Sequence, residues 1–163
     1  MALDVDPDEI FMTSALEQAE KSAAMGEVPV GAVIVRDGKI IAVGCNMKEI
    51  TGDPTAHAEI RAIRAAAVAC HSWRLLDTTM YVTLEPCIMC CGALIQARVK
   101  RLVYGAPDPK AGAVDSLYSL LRDERLNHRL EVRGGVLADR CGELLREFFR
   151  KRRQEKSAAS LEL

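Results

Sequence analysis

The sequence predicts an α/β fold in which a central, largely parallel sheet carries helices on both faces. Three observations carry that prediction. Helix and strand patterns interleave as helix, hairpin, helix, strand, helix, strand, helix, strand, helix, and such alternation builds sheets covered on both sides. Asp37-Gly38 between two β-branched runs is a strong hairpin signal, because both residues tolerate positive φ. The length of 163 residues, 49% hydrophobic and 28% charged, suits one core and one compact domain. That domain is placed at 6–156, with 157–163 as a small, polar, frayed tail. No internal repeat, domain linker or Gly-rich phosphate motif interrupts it.

The first helix opens at Asp6-Pro7-Asp8-Glu9. Asp6 can cap, Pro7 fits the first helical position and Glu9 can reach back. Phe11, Ala15, Ala19 and Ala23 recur at helical spacing, and Gly26 is a stop. The hairpin strands are Val30 to Val35 and Ile40 to Val43. They lead to Gly44-Cys45-Asn46, where Asn46 sits just past a strand end, as polar side chains that serve a site often do; an ordinary turn asparagine is the bland alternative. Asp53-Pro54-Thr55 opens a second helix to about Cys70, capped by Asp53 or Thr55, with Ala56, Ile60, Ile63 and Ala67 as its apolar stripe.

Met80 to Glu85 alternates as a third strand, and Pro86 starts a third helix. Leu102 to Tyr104 is a short fourth strand. The Gly-, Pro- and Ala-rich loop from Gly105 to Ser116 is long enough for a small domain to suggest function. Ser116 caps a short helix through Leu121, Leu130 to Val132 forms a fifth strand, and Ala138 to Glu155 is the last helix. That helix is apolar at Cys141, Leu144, Leu145, Phe148 and Phe149.

Chemistry concentrates in two stretches, His57-Ala58-Glu59 and Pro86-Cys87-Ile88-Met89-Cys90. His57, Cys87 and Cys90 offer one imidazole and two thiols, which suit Zn²⁺ and leave its fourth tetrahedral position open. Cys87 and Cys90 share a helix face at i and i+3, and a helix N-terminus lowers thiol pKa. Cys91 could replace Cys90 as an i+4 ligand. Buried cysteines also pack as plain apolar groups, as expected for Cys45, Cys70 and Cys141. His57 and Glu59 lie about 200° apart around a helix, so they converge only if His57 leans over the helix end. Glu59 has Ala62 and Ile63 at the following turn positions and no cation there. Such surroundings raise a carboxyl pKa and fit a proton carrier rather than a solvated surface acid.

H-x-E followed by P-C-x-x-C is the known signature of the zinc-dependent nucleobase deaminases. From about Ile10 to Gln154 the chain resembles the bacterial tRNA-specific adenosine deaminases of the cytidine deaminase superfamily. Glu27-Val28-Pro29-Val30-Gly31-Ala32, Asp53-Pro54-Thr55-Ala56-His57-Ala58-Glu59 and Thr83-Leu84-Glu85-Pro86-Cys87 carry the resemblance. So do Asp108-Pro109-Lys110, Leu126-Asn127-His128-Arg129 and Glu147-Phe148-Phe149-Arg150. The resemblance implies a three-layer α/β/α, cytidine-deaminase-like fold with a five-stranded mixed sheet, a homodimer, and conversion of adenosine to inosine at the wobble position of a tRNA anticodon. By position it implies His57, Cys87 and Cys90 as zinc ligands and Glu59 as proton shuttle. It also implies that Asn46 and the Ala58 backbone hold the base, and that Asp108 and the last helix, at Phe149, lie near flanking nucleotides. Cys91 stands where the family more often has Ala, and Pro107 and Asp115 depart from it in the loop.

The rest of the composition limits the alternatives. The net charge of −1 makes no overall case for a polyanion partner. Its distribution is uneven: Asp4, Asp6, Asp8, Glu9, Glu17 and Glu20 fall where there is no Lys or Arg. Arg146, Arg150, Lys151, Arg152, Arg153 and Lys156 crowd the last helix. That pattern suits a polyanion-facing end or, more blandly, a solvated helix end. No apolar run approaches the ~20 residues that span a bilayer, so no membrane partner is expected. The acidic start shows no secretory signal, so a cytoplasmic location with reduced cysteines is expected. Two rival functions remain. One is deamination of free cytosine, cytidine or guanine; the other is a non-enzymatic zinc fold that binds RNA or serves as an inactive partner, which has no use for Glu59.

Overall fold

The computed structural model describes residues 4–162. Helix α1 spans Pro7–Ala24, and strands β1 (Gly31–Arg36) and β2 (Lys39–Cys45) form the hairpin. A four-residue helix α2 (Lys48–Thr51) precedes α3 (Ala58–Cys70). Then follow β3 (Thr79–Leu84), α4 (Ile88–Gln96), β4 (Arg101–Ala106), a 3-10 turn (Leu120–Arg122), β5 (Glu131–Arg133) and α5 (Ala138–Leu161).

Local chemistry explains most of these boundaries. The Asp6 side chain accepts from the Asp8 amide, and Pro7 occupies the first turn of α1. Asp37 and Gly38 both have positive φ, 51° and 71°, as a tight hairpin requires, and Arg36 pairs with Lys39 across the turn.

Among the described residues the sheet has five strands in the order β2-β1-β3-β4-β5. It is mixed, as the family resemblance implied, rather than largely parallel. β1 is antiparallel to both β2 and β3, whereas β3, β4 and β5 run parallel. The hairpin is the cause: α3 carries the chain from β2 across β1, so β3 lies parallel to β2 and opposite to the strand between them.

Strand alternation sorts the core into two halves. Ala32, Ile34, Met80, Val82, Leu102 and Tyr104 face α3 and α4, where Ala58, Ala62, Ala66 and Leu94 meet them. Val33, Val35, Tyr81 and Val103 face the other way, toward Met12, Ala15 and Leu16 of α1 and Cys141 of α5. This is a three-layer α/β/α arrangement. Gly44 lets α3 approach β2 closely, since a Cβ there would collide with the Ala58 carbonyl and the Ala62 amide.

Four expectations need correction. Neither Asp53 nor Thr55 caps the second helix. Asp53 Oδ1 accepts from the Thr55 amide and hydroxyl at 2.8 and 2.7 Å in a local turn, and His57 is the N-cap of α3. The buried residues of α3 are Ala58, Glu59, Ala62 and Ala66; of the predicted stripe, Ala56 is buried just before the helix and Ile63 packs half-buried on the core. Ser116 caps no helix. The last helix continues through the expected tail to Leu161, where Ser160 Oγ donates to the Lys156 carbonyl.

Candidate active site

His57 and Cys87 are the N-cap residues of α3 and α4, so two helix ends converge on one point. His57 Nδ1 lies 3.7 Å from Cys87 Sγ and 3.5 Å from Cys90 Sγ. Among the described residues these three form the group able to hold a metal ion, with one donor atom from each and all donors within 4.8 Å of one another. A tetrahedral zinc with its usual bond lengths, about 2.3 Å to sulfur and about 2.0 Å to nitrogen, has N–S edges of roughly 3.6 Å. The donor set and its spacing therefore fit zinc.

Cys91 does not belong to this group. It is fully buried, its Sγ faces the Pro86 carbonyl at 3.7 Å, and burial pushes its thiol up to about 12. Cys90 is thus the second thiol of the cluster. Hydrogen bonds from Cys90 and His57 hold Cys87 down to about 4, toward the thiolate that a metal needs. The bond to Cys87 and burial push the Cys90 thiol up. The Cys87 contact also raises the His57 imidazole. Of the other cysteines, Cys141 is buried in the core as expected, while Cys45 and Cys70 are only half-buried.

Glu59 sits on the buried face of α3 with 4% of its surface exposed, beside His57 and Cys90. Burial raises its carboxyl pKa, and the contacts with Cys90 and His57 pull the other way. Ala58, the first helical residue, has a backbone N–H with no intrahelical acceptor.

The cavity over these groups has a volume of about 180 Å³. Its lining includes Asn46, His57, Ala58, Glu59 and Cys87, together with Val28, Val30, Lys48, Leu84, Glu85, Asp108 and Ala111. Asn46 is buried and its amide is pinned at both ends. Nδ2 donates to the Val28 carbonyl at 3.1 Å, and Oδ1 accepts from the Lys48 amide at 3.2 Å. One N–H and one lone pair of that amide remain available to a ligand. Asp108 Oδ1 accepts from the Lys110 and Ala111 amides, which folds the start of the loop toward the cavity.

Phe149 is not brought to this cavity. It is 41% exposed on α5 and meets Phe148 edge-on at 5.5 Å. Two carboxylates that sequence reasoning passed over matter more. Buried Glu27 accepts from the Ile50 amide at 2.6 Å and so ties α2 to the segment before β1. Buried Glu85 gathers the loop after β4. In the sequence each appeared only as one letter within a matching stretch, and its partners lie too far along the chain to be read locally.

A metal-fitting His-Cys-Cys group beside a buried glutamate, on this three-layer sheet, defines a nucleobase deaminase of the cytidine-deaminase-like class. The chain matches the MafB19-like deaminase family over residues 6–153. It is 53% identical over 150 residues to the tRNA-specific adenosine deaminase of Haemophilus influenzae, covering 91% of this chain and 87% of that one. A solved structure from work on A-to-I editing by tRNA:A34 deaminases at the wobble position of transfer RNA superposes with a TM-score of 0.81. It is 43% identical and covers 83% of this chain and 99% of its own. A guanine deaminase from Nitrosomonas europaea superposes at 0.76 with 26% identity, covering 86% of this chain and 83% of its own. The chain belongs to the tRNA-specific adenosine deaminase family.

Proposed function

We propose that the protein hydrolytically deaminates adenosine to inosine at the wobble position of a tRNA anticodon, with zinc held by His57, Cys87 and Cys90. The observation that carries the reading is Glu59: a buried carboxyl with a raised pKa, packed against a three-donor group that fits zinc. When bound, zinc supplies a Lewis acid that makes a water nucleophilic near neutral pH.

Glu59 takes the proton from the attacking water and delivers it to N1 of the adenine. The water oxygen bonds to C6, and Glu59 then takes the remaining proton of that hydroxyl and passes it to the departing amine as the C6–N6 bond breaks, so that water and adenosine become inosine and ammonia. The spare N–H and lone pair of Asn46 and the free Ala58 N–H hold the base. Asp108 contacts a flanking nucleotide. Outside the cavity Phe149 lies near a flanking nucleotide, and the basic stretch of α5 meets the phosphates of the stem-loop. An anticodon loop is already unpaired, so placing one base in this cavity costs little unstacking.

The reading includes a homodimer, for which the exposed apolar side chains of Val68, Trp73 and Leu76 are available, and a cytoplasmic location where tRNA is found. No helix of the described residues is long and apolar enough to cross a membrane.

The test is inosine formation in an anticodon stem-loop with adenosine at the wobble position, run beside Glu59→Ala. The parent is expected to form inosine. The variant is expected to lose about 10²–10⁴ in rate, the usual worth of general acid–base catalysis, and to keep its zinc. The likeness to a guanine deaminase favours one alternative, the free base guanine. Ammonia release from guanine, with no inosine from the stem-loop, would move the assignment there.

A further inference from the structure

We propose that Glu85 is a positioning residue for this reaction: its carboxylate fixes the loop at residues 107–116, and through it Asp108, against the nucleobase cavity. Glu85 thereby sets how tightly the RNA substrate is held. The inference rests on the reading of the protein as a tRNA adenosine deaminase.

Glu85 is 2% exposed and lines the cavity, yet both of its oxygens are occupied. Oε1 accepts from the Asp108 amide at 3.1 Å and from the Ser116 hydroxyl. Oε2 accepts from the amides of Val114, Asp115 and Ser116 at 3.2, 3.0 and 3.0 Å. An ionised carboxylate has about four lone-pair sites, so these donors saturate it. Glu85 is therefore not a second proton carrier. Its carboxylate reaches both ends of the loop, at Asp108 and at Ser116, next to the segment that carries Cys87.

Two further contacts lock the loop to that segment. Gly112 pairs with Cys87 across an isolated bridge, and the Ala113 amide donates to the Pro86 carbonyl at 2.9 Å. A Cβ at Gly112 would strike the Glu85 carboxylate, so the loop can close over it only with glycine there. Asp115 holds the far side, accepting from Tyr104 Oη and Arg122 at 2.6 Å each.

Glu85→Gln separates positioning from bulk folding. An amide can keep one oxygen toward the Val114, Asp115 and Ser116 amides, and the Ser116 hydroxyl can rotate to accept. The Asp108 N–H would then face a second donor. The expected result is a roughly tenfold rise in KM for the anticodon stem-loop, the scale of one lost charge-assisted hydrogen bond. kcat and zinc content should stay near parental values. In an Asp108→Ala background the same change should add less than about twofold, because the two residues act as a unit.

Amide hydrogen exchange gives a readout independent of activity. Protection should fall at Asp108 and persist at Val114, Asp115 and Ser116. If Glu85→Gln does not fold by circular dichroism, Ser116→Ala deletes a donor to the same oxygen and should raise KM by about threefold. An unchanged KM with unchanged Asp108 exchange, or losses that simply multiply in the double variant, overturn the proposal. A parent that forms no inosine overturns the functional reading instead, and the exchange pattern still decides whether Glu85 holds Asp108.

Discussion

Cys90 and Cys91 are adjacent, equally buried thiols, and one peptide bond separates a member of the group able to hold a metal ion from a packing group. Cys87 is the N-cap of α4, so the residue three positions on returns to its side of the helix, while Cys91 turns inward toward the Pro86 carbonyl. Substitution should divide the pair. Cys90→Ala is expected to lose zinc and inosine formation together. Cys91→Ala is expected to keep one zinc per chain and two sulfur ligands by X-ray absorption, at a stability cost of about 1 kcal/mol for the lost packing. A Cys91→Ala protein without zinc would mean that the metal takes a different thiol set. Glu59 depends on the same helical arithmetic. It enters the core because α3 starts at Ala58, which puts residues 58, 59, 62 and 66 on the buried face.

That start is also where sequence reading and structure part. Asp53, Pro54 and Thr55 have the composition of a helix cap, but a short polar side chain that can cap a helix can equally close a turn on its own neighbours, and here it does the latter. Short-range chemistry was legible: the Asp6 cap, the Asp37-Gly38 turn and the i, i+3 thiols all appear where expected. What could not be read depends on distant partners. The donors to Glu85 come from 23 to 31 residues away, and α2 is four residues long with its Ile50 amide held by Glu27. Gly44 belongs to the same category, because its role appears only once α3 lies across β2. Gly44→Ala would force the two elements apart at Ala58, the residue between His57 and Glu59. It should destabilise the fold by about 1–3 kcal/mol, the usual range for overpacking, and also weaken zinc binding. Denaturant melts with and without a chelator check both. A stability loss with unchanged zinc affinity would show that the α3 terminus moves as a rigid piece.

At the scale of the whole molecule, the acidic first stretch and the basic last helix play different parts. Asp8 is buried where α1 crosses the sheet. It accepts from Tyr81 of β3 at 2.8 Å, from Arg101 of β4 at 2.8 Å and from Arg133 of β5 at 2.6 Å. Arg133 also reaches Asp6 at 2.7 Å. Two of the early acids therefore clamp one helix to three strands rather than face solvent, whereas Lys151 and Arg153 on α5 remain exposed. The Arg101 guanidinium, with Tyr81 and Arg133, holds the Asp8 carboxyl well below its ordinary 3.8. A carboxylate depressed in the folded state contributes stability that is fully present above its unfolded pKa and is lost as the pH falls toward the folded one. The clamp should thus act in full at neutral pH and weaken below about pH 4. Asp8→Asn is expected to cost about 1–3 kcal/mol at neutral pH, because it takes the charge from the buried acceptor of the partly buried Arg101 and the exposed Arg133 guanidinium groups. The gap between parent and variant should narrow steadily in denaturant melts from about pH 4 to about pH 2. A gap that does not change with pH would assign the loss to the shape of the side chain rather than its charge. The joint between α1 and the parallel half of the sheet would then be held by apolar packing, with Phe11, Met12 and Leu16 against Tyr81 and Val103.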